Sequence, residues 1–223
     1  MSSYFINGAK YAFSTALAQA VAISAISNAA EAVASATVLP TAGSVVLLNS
    51  NWTDLNGLAT FARNPTAGSF KLAGVDTRDT GLYPPGEAAP ASYRVASNFV
   101  SLSQIRDIQQ SGGDTNQFTY GYIDDASPRQ RSKPTDTNPL VLTFIMDEDS
   151  SLPWFAALDA VSKSRQLVTM RERLPEGDVL LYTGYMAFQK SPTRVRNENR
   201  TVQGVLSVNS DILRFPASDF AGS

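Results

Sequence analysis

The chain has 223 residues and contains no histidine and no cysteine. Those two absences remove most of the catalytic repertoire. Without imidazole or thiol, no Ser-His-Asp or Cys-His arrangement can be assembled, and zinc loses nearly all of its usual protein ligands. The residue best placed to change charge near neutral pH is missing as well. No disulfide can form, so thiols say nothing about compartment. Carboxylate and lysine chemistry stay open in principle. Charge is scarce too: Asp, Glu, Lys and Arg make up 17% of the chain, against roughly 25% in ordinary soluble domains. A formal net charge of -2 does not supply the basic field with which a dedicated nucleic-acid binder displaces counterions. A near-neutral wall past which DNA slides is compatible with it. Long apolar runs are also lacking. Lys10 and Asn7-Gly8 break the first nineteen residues, which argues against a signal peptide. Gln19, Asn28 and Glu31 interrupt the Ala-rich stretch from Ala16 to Val38, which excludes it as a membrane span. A soluble protein with no membrane anchor and no cofactor is expected.

What is present is apolar and β-prone. Hydrophobic residues reach 43%, with 11 Phe, 8 Tyr and 2 Trp, enough to bury a sizeable core in one large domain or two small ones. A thinly charged surface rich in Ser, Thr, Asn and Ala suits a protein covered by other subunits, and equally a secreted monomer. Composition shifts near residue 90. The segment Gly81-Leu-Tyr-Pro-Pro-Gly-Glu-Ala-Ala-Pro90 reads as a connector between the two regions.

In the first region, alanine favours a helix over 16–37, but Val21, Ile23 and Val33 alternate with small or polar neighbours. The alternation predicts two strands, 20–26 and 32–38. Strands are also expected at 44–48, 58–63 and 69–75, with Asn56-Gly57 as a hairpin turn. Residues 20–80 then form an all-β module about the size of a small barrel.

In the second region, strands are expected at 98–108, 118–123 and 140–146. The polar stretch Asp124 to Asn138 is read as a long exposed loop, of a length that is uncommon unless functional or disordered. A helix follows Asp147-Glu148-Asp149. Ser150 or Ser151 is its expected cap, Pro153 suits its first turn, and the acidic run complements its dipole. Trp154, Leu158 and Val161 fall on one apolar face. A hairpin over 166–188 turns at Pro175-Glu-Gly177. In a last strand over 201–215, Val202, Leu206 and Val208 point one way and Thr201, Gln203, Ser207 and Asn209 the other. The pattern is mainly β, a sandwich or barrel with one packed helix, plus the small all-β N-terminal module.

Several residue groups invite chemistry. Asp147-Glu148-Asp149 lacks the glycine and spacing of a calcium loop and the cleft that paired catalytic carboxylates need, so it is read as the start of the helix. Asp124 and Asp125 are read as a loop start and, with that loop, as inter-subunit or inter-ring contacts. Arg129, Arg131, Arg194, Arg196 and Arg200, with Lys133 and Glu198, form mixed charge of the kind that marks solvated or paired faces. They are read as inter-subunit contacts in preference to DNA contacts. Ser111-Gly-Gly-Asp114 lacks the lysine of a phosphate loop and is read as a turn. Trp154 is read as core.

The order strand, long loop, strand, acidic turn, helix, hairpin, long strand resembles the major tail tube proteins of siphophages, the long-tailed bacteriophages. The residues that carry the resemblance are Leu152-Pro-Trp-Phe-Ala-Ala-Leu158, Leu174-Pro-Glu-Gly-Asp-Val-Leu-Leu-Tyr182 and Thr201-Val-Gln-Gly-Val-Leu-Ser-Val208, within roughly 90–216. Residues 20–83, through Val45-Val-Leu-Leu48 and Trp52-Thr-Asp-Leu-Asn-Gly57, resemble the small β modules inserted into phage tail subunits. That leaves 1–19 and 84–223 as the tail tube domain. The resemblance implies hexameric rings, joined edge to edge and stacked into a hollow tube that delivers genomic DNA without sequence-specific binding. The implied partners are further copies of the chain, a tape measure protein and other tail proteins. The implied location is the virion tail, with host cytoplasm during assembly, and the implied role is structural, not enzymatic. Thr201, Gln203, Ser207 and Asn209 then become a candidate lumen face, with an ordinary solvated sheet face as the alternative. The 124–138 loop would order against a neighbouring ring. Another tail component of the same fold, or a glycan-binding adhesion module, also fits the pattern.

Overall fold

The computed structural model describes residues 7–120, 131–193 and 199–220, with the backbone alone at 131–136 and 220. It is built almost entirely from antiparallel strands. The first region contributes β1 (Lys10–Leu17), β2 (Val21–Ile26), β3 (Val33–Ala36), β4 (Val45–Asn49), β5 (Ala59–Thr66) and β6 (Ser69–Leu72). The second contributes β7 (Ala91–Leu102), β8 (Ile105–Ser111), β9 (Thr115–Tyr120), β10 (Arg131–Thr137) and β11 (Val141–Asp147). After the helix α1 (Pro153–Ser164) come β12 (Leu167–Arg173), β13 (Val179–Gln189), β14 (Thr201–Val208) and β15 (Leu213–Phe215).

Two architectures share one strand. β2, β3, β6, β5 and β4 bond in that order, and β7 pairs with both β4 and β2, so six strands close into a ring. This barrel encloses its own core of Ile23, Val46, Leu48, Trp52, Phe70, Leu72 and Tyr93. The alternation of Val21–Ile26 and Val33–Ala36 forms strands despite the alanines. Small side chains such as Ala34 are wholly buried there, where a narrow barrel has little room inside. The barrel takes its sixth strand from 91–96, past the expected module boundary at 83. The connector at 81–90 is not a free linker. Trp52 Nε1–H donates to the Pro84 carbonyl at 3.2 Å, Ser50 Oγ donates to Ala88 O, and Tyr83 stacks edge-on against Trp52.

From β7 the sheet continues through β1, β12, β13, β14 and β11 to β8. Three strands separate β1 from β11 in that order, yet Tyr11 and Phe144 meet edge to face at 5.4 Å. The sheet therefore curls over itself into two layers. The long β13 passes between them: it pairs with β12 over 179–185 and with β14 over 184–189. Gly184 sits at the handover, where a Cβ would run into the Ser207 carbonyl. Between the layers lies a second core of Phe13, Phe144, Met146, Met170 and Leu206, and Trp154, Leu158 and Val161 of α1 are buried in it. A third cluster joins barrel to sheet: Val45 and Phe61 from the barrel, Val179 and Leu181 from β13, and Phe215 from β15.

Several expectations are corrected. The polar stretch 124–138 is not all loop, because 131–137 is a strand paired with β9. A strand paired, among the described residues, only with β9, whose residues 115–119 are exposed, needs no apolar alternation, so the composition of 131–137 hides it. The strand expected over 98–108 is broken at Ser103–Gln104, where Gln104 has φ 57°, and β8 leaves to pair with β11. The strand expected over 201–215 is likewise two, β14 and β15. The helix N-cap is Leu152, with no side-chain cap. Ser151 instead donates its hydroxyl to Asp149 at 2.6 Å, and its N–H goes to the same carboxylate. The acidic run stands before the helix rather than in its first turn: Asp147 pairs with Arg106 and Glu148 with Arg200. Asn56-Gly57 does not form a two-residue hairpin. It ends a 3-10 turn (Thr53–Leu55) inside a longer β4–β5 connection. β1 was not anticipated, although Tyr11 and Phe13 alternating with Ala12 and Ser14 are its signal.

Candidate assembly site

One face of the second layer is left open. On β11, Leu142, Phe144 and Met146 turn into the core, while Val141, Thr143 and Ile145 turn outward and stay half-exposed. Period-2 alternation places residues opposite one another on neighbouring strands on the same face, so cross-strand rows can be read from the register. The first row is Ser111, Val141, Ser207, Tyr185 and Leu167. The second is Gln109, Thr143, Val205 and Ala187. The third is Asp107, Ile145, Gln203 and Gln189. None of these residues is buried, and Asp107 alone carries a charge. Apart from Leu167 and Ala187, the rest are β-branched residues, amides and hydroxyls. The β-branched ones suit a half-covered pleated surface.

Thr201, Gln203 and Ser207 lie on this face as the alternation of β14 requires. Asn209 does not belong to the rows. It lies one residue beyond β14, beside Gly57 of the barrel. Sequence reasoning overlooked Gln109, Thr143, Ile145, Tyr185, Ala187 and Gln189. Their own strands alternate visibly, but only the pairing of β8, β11, β14 and β13 puts them on one surface.

Two free strand edges flank the face. Among the described residues, β8 bonds only to β11. Residues 97–102 of β7 bond only to β1, because β4 reaches no further than Ala96. Unpaired edges of this kind template pairing with another chain. Among the described residues the β9–β10 ribbon pairs with no third strand, and isolated two-stranded hairpins are marginal in water. Phe118 on β9 is 61% exposed and stacks on Tyr120.

The layer behind the face is held rigidly. Glu172 is 5% exposed and accepts hydrogen bonds from Tyr11 Oη at 2.6 Å and Tyr182 Oη at 2.5 Å. Burial first, and then these bonds to a carboxylate, push both phenols above their ordinary range, so they remain donors. The triad ties β1, β12 and β13 together across the inner surface. Such charge-assisted bonds contribute about 1.5–3 kcal/mol each.

Of the charged residues expected at subunit contacts, Arg200 is paired within its own chain, to Glu148 at 2.8 Å. Arg131 and Lys133 lie on β10, opposite Tyr120 and Phe118. Asp124, Asp125, Arg129, Arg194, Arg196 and Glu198 fall outside the described residues. Among the described residues no group of three or more acidic side chains could hold a metal ion, and no helix is long and apolar enough to cross a membrane.

A family model described as phage tail tube protein, TTP, matches residues 50–217, well over half of the chain. The match runs from just after β4 to just after β15, and so takes in the open face and both edges. No curated protein matches the chain.

Proposed function

The chain belongs to the phage tail tube protein family, a structural component of the virion tail, and from that premise we propose that copies of it join edge to edge into hexameric rings that stack into a hollow conduit for DNA in a siphophage tail. The observation that carries this reading is the pair of free edges, β8 and residues 97–102 of β7, on either side of one nearly uncharged face. Pairing β8 of one copy with β7 of the next is a heterologous contact, and a heterologous contact that closes makes a ring. The rows containing Thr143, Gln203 and Ser207 would then line the bore. Amides and hydroxyls there offer DNA no fixed counter-charge, so the polymer passes without being held.

The barrel packs through Val45 and Phe61 against Val179 and Leu181, on the same side of β13 as Tyr185 and Ala187, so it borders the open face at one end while Gln109, Ala187 and Gln189 stay exposed. In this reading, 1–19 with 84–223 is the tube-forming unit and 20–83 an insertion that decorates it. The β9–β10 ribbon is the element that reaches other copies, a tape measure protein fills the bore during assembly, and assembly proceeds in the host cytoplasm. Negative-stain electron microscopy of the purified full chain, with light scattering alongside, tests the proposal. Stacked rings or long hollow tubes are expected. A monomer that persists at high concentration would overturn it.

A further inference from the structure

Beside the base of the β9–β10 ribbon lies a groove of about 620 Å³, open to solvent, between the barrel's 3-10 turn and the β14–β15 connection. Its apolar surface comes from Pro139, Leu140 and Ile212, the last 38% exposed. Asp54 and Asp211 stand on its walls, and neither forms an ion pair among the described residues. The Asp54 carboxylate accepts a hydrogen bond from the Tyr83 hydroxyl. A surface that is apolar below and anionic at its walls suits a segment with an exposed aromatic residue and cationic neighbours.

The chain carries such a segment. Phe118 projects from the ribbon, stacked on Tyr120, and the backbone register sets Lys133 opposite Phe118 and Arg131 opposite Tyr120. We propose that this groove receives the β9–β10 ribbon of a second copy, with Phe118 against Ile212 and the β10 cations facing Asp54 and Asp211. The inference rests on the tube reading and deepens it by naming where the ribbon lands. Burying an exposed aromatic and pairing two uncompensated carboxylates would both favour the contact. The groove is built partly from the barrel, so the barrel's 3-10 turn becomes part of the assembly surface.

The natural lack of cysteine makes the test direct. Phe118→Cys and Ile212→Cys chains are prepared separately, mixed, allowed to assemble and oxidised. A disulfide between the two different chains can only bridge copies, and its geometry demands Cα atoms within roughly 7 Å. Heterodimer on a non-reducing gel, in several-fold excess over a Phe118→Cys with Leu82→Cys control, is expected. Tubes without that cross-link would overturn the docking and leave the tube reading standing. The cross-link without tubes would uphold the docking and overturn the tube, and neither product would overturn both. As a second measure, Asp54→Lys with Asp211→Lys should cut tube yield several-fold, and Arg131→Glu with Lys133→Glu should restore it. Unchanged yield in the first variant would also overturn the docking.

Discussion

The barrel and the two-layer sheet are made of the same material and finished differently. Both are antiparallel, both bury a compact apolar core, and they share β7. In the barrel every strand has two neighbours, because β7 closes the ring between β4 and β2. In the sheet, two edges and one face are left without cover by the described residues. Closure removes the template for further pairing and an open edge keeps it. The region that is complete by itself is thus the one proposed as an insertion, and the incomplete region is the one suited to assembly.

The sharpest way to break the comparison is to finish the sheet artificially. Gln110→Pro places a residue without an N–H on β8. Ile108, two residues earlier, gives its N–H to the Asp107 side chain rather than to β11, so alternate N–H groups of this strand, including that of Gln110, face away from the ladder. The variant should keep its far-ultraviolet circular dichroism and lose ring or tube formation altogether in electron micrographs. Wild-type tubes from this variant would show that β8 is not an assembly edge.

A smaller effect tests whether the two regions are energetically separate. Phe215 is buried between Phe61 of the barrel and the start of β13. Phe215→Ala should cost about 3–5 kcal/mol and split a single calorimetric transition into two. A variant that still melts in one transition would mean that the shared β7 suffices to couple them.

The smallest effect concerns the clamp that holds β15. Arg214 donates to Asp178 at 2.8 Å, and Ala217 N–H donates to the same carboxylate. The Arg214 hydrogen bond, then the backbone one, hold the Asp178 carboxyl below its usual range. A depressed folded-state value means that the stabilisation is present above the unfolded-state value, about pH 4, and is lost as pH falls through the folded-state value. Asp178→Asn should therefore melt slightly lower than the parent at pH 6, with the gap closing toward pH 2. Because the pair is exposed, the gap should also shrink in high salt. A gap independent of pH would assign the effect to something other than ionisation.

Local pattern carried a large share of this architecture, and non-local pairing carried the rest. The period-2 alternation of Val202, Leu206 and Val208 against Thr201, Gln203 and Ser207 was legible because it lies within one strand. So was the helix stripe of Trp154, Leu158 and Val161. The two alanine-rich strands were legible through Val21, Ile23 and Val33, where helix propensity alone points the other way. Closure of the barrel was not legible, since nothing within 91–102 announces that its first half will serve two neighbours. The breadth of the open face was hidden for the same reason: Gln109, Thr143, Ala187 and Gln203 come from four strands. Polar composition concealed β10, because a solvated ribbon carries no apolar signature. Charge patterning placed the acidic run at the helix start, whereas it is spent on Arg106 and Arg200 beside the sheet.

β7 also fixes how the molecule bears load. Its first half is a stave of the barrel and its second half a plank of the sheet, so a pull on the barrel enters the sheet through this strand, beside the short β1–β2 link and the Phe61–Phe215 contact. Along 96–102 it lies antiparallel to β1 in one unshifted register, interrupted only at Thr15–Asn98, where Asn98 has φ 53°, and a force along the strand strains those hydrogen bonds in shear. The contact with β2 spans only Val21–Ile23 opposite Ala91–Tyr93, and a sideways pull there would peel it pair by pair. The barrel is therefore anchored as a mooring is: strong along the line of β7, and yielding first at the seam where it closes.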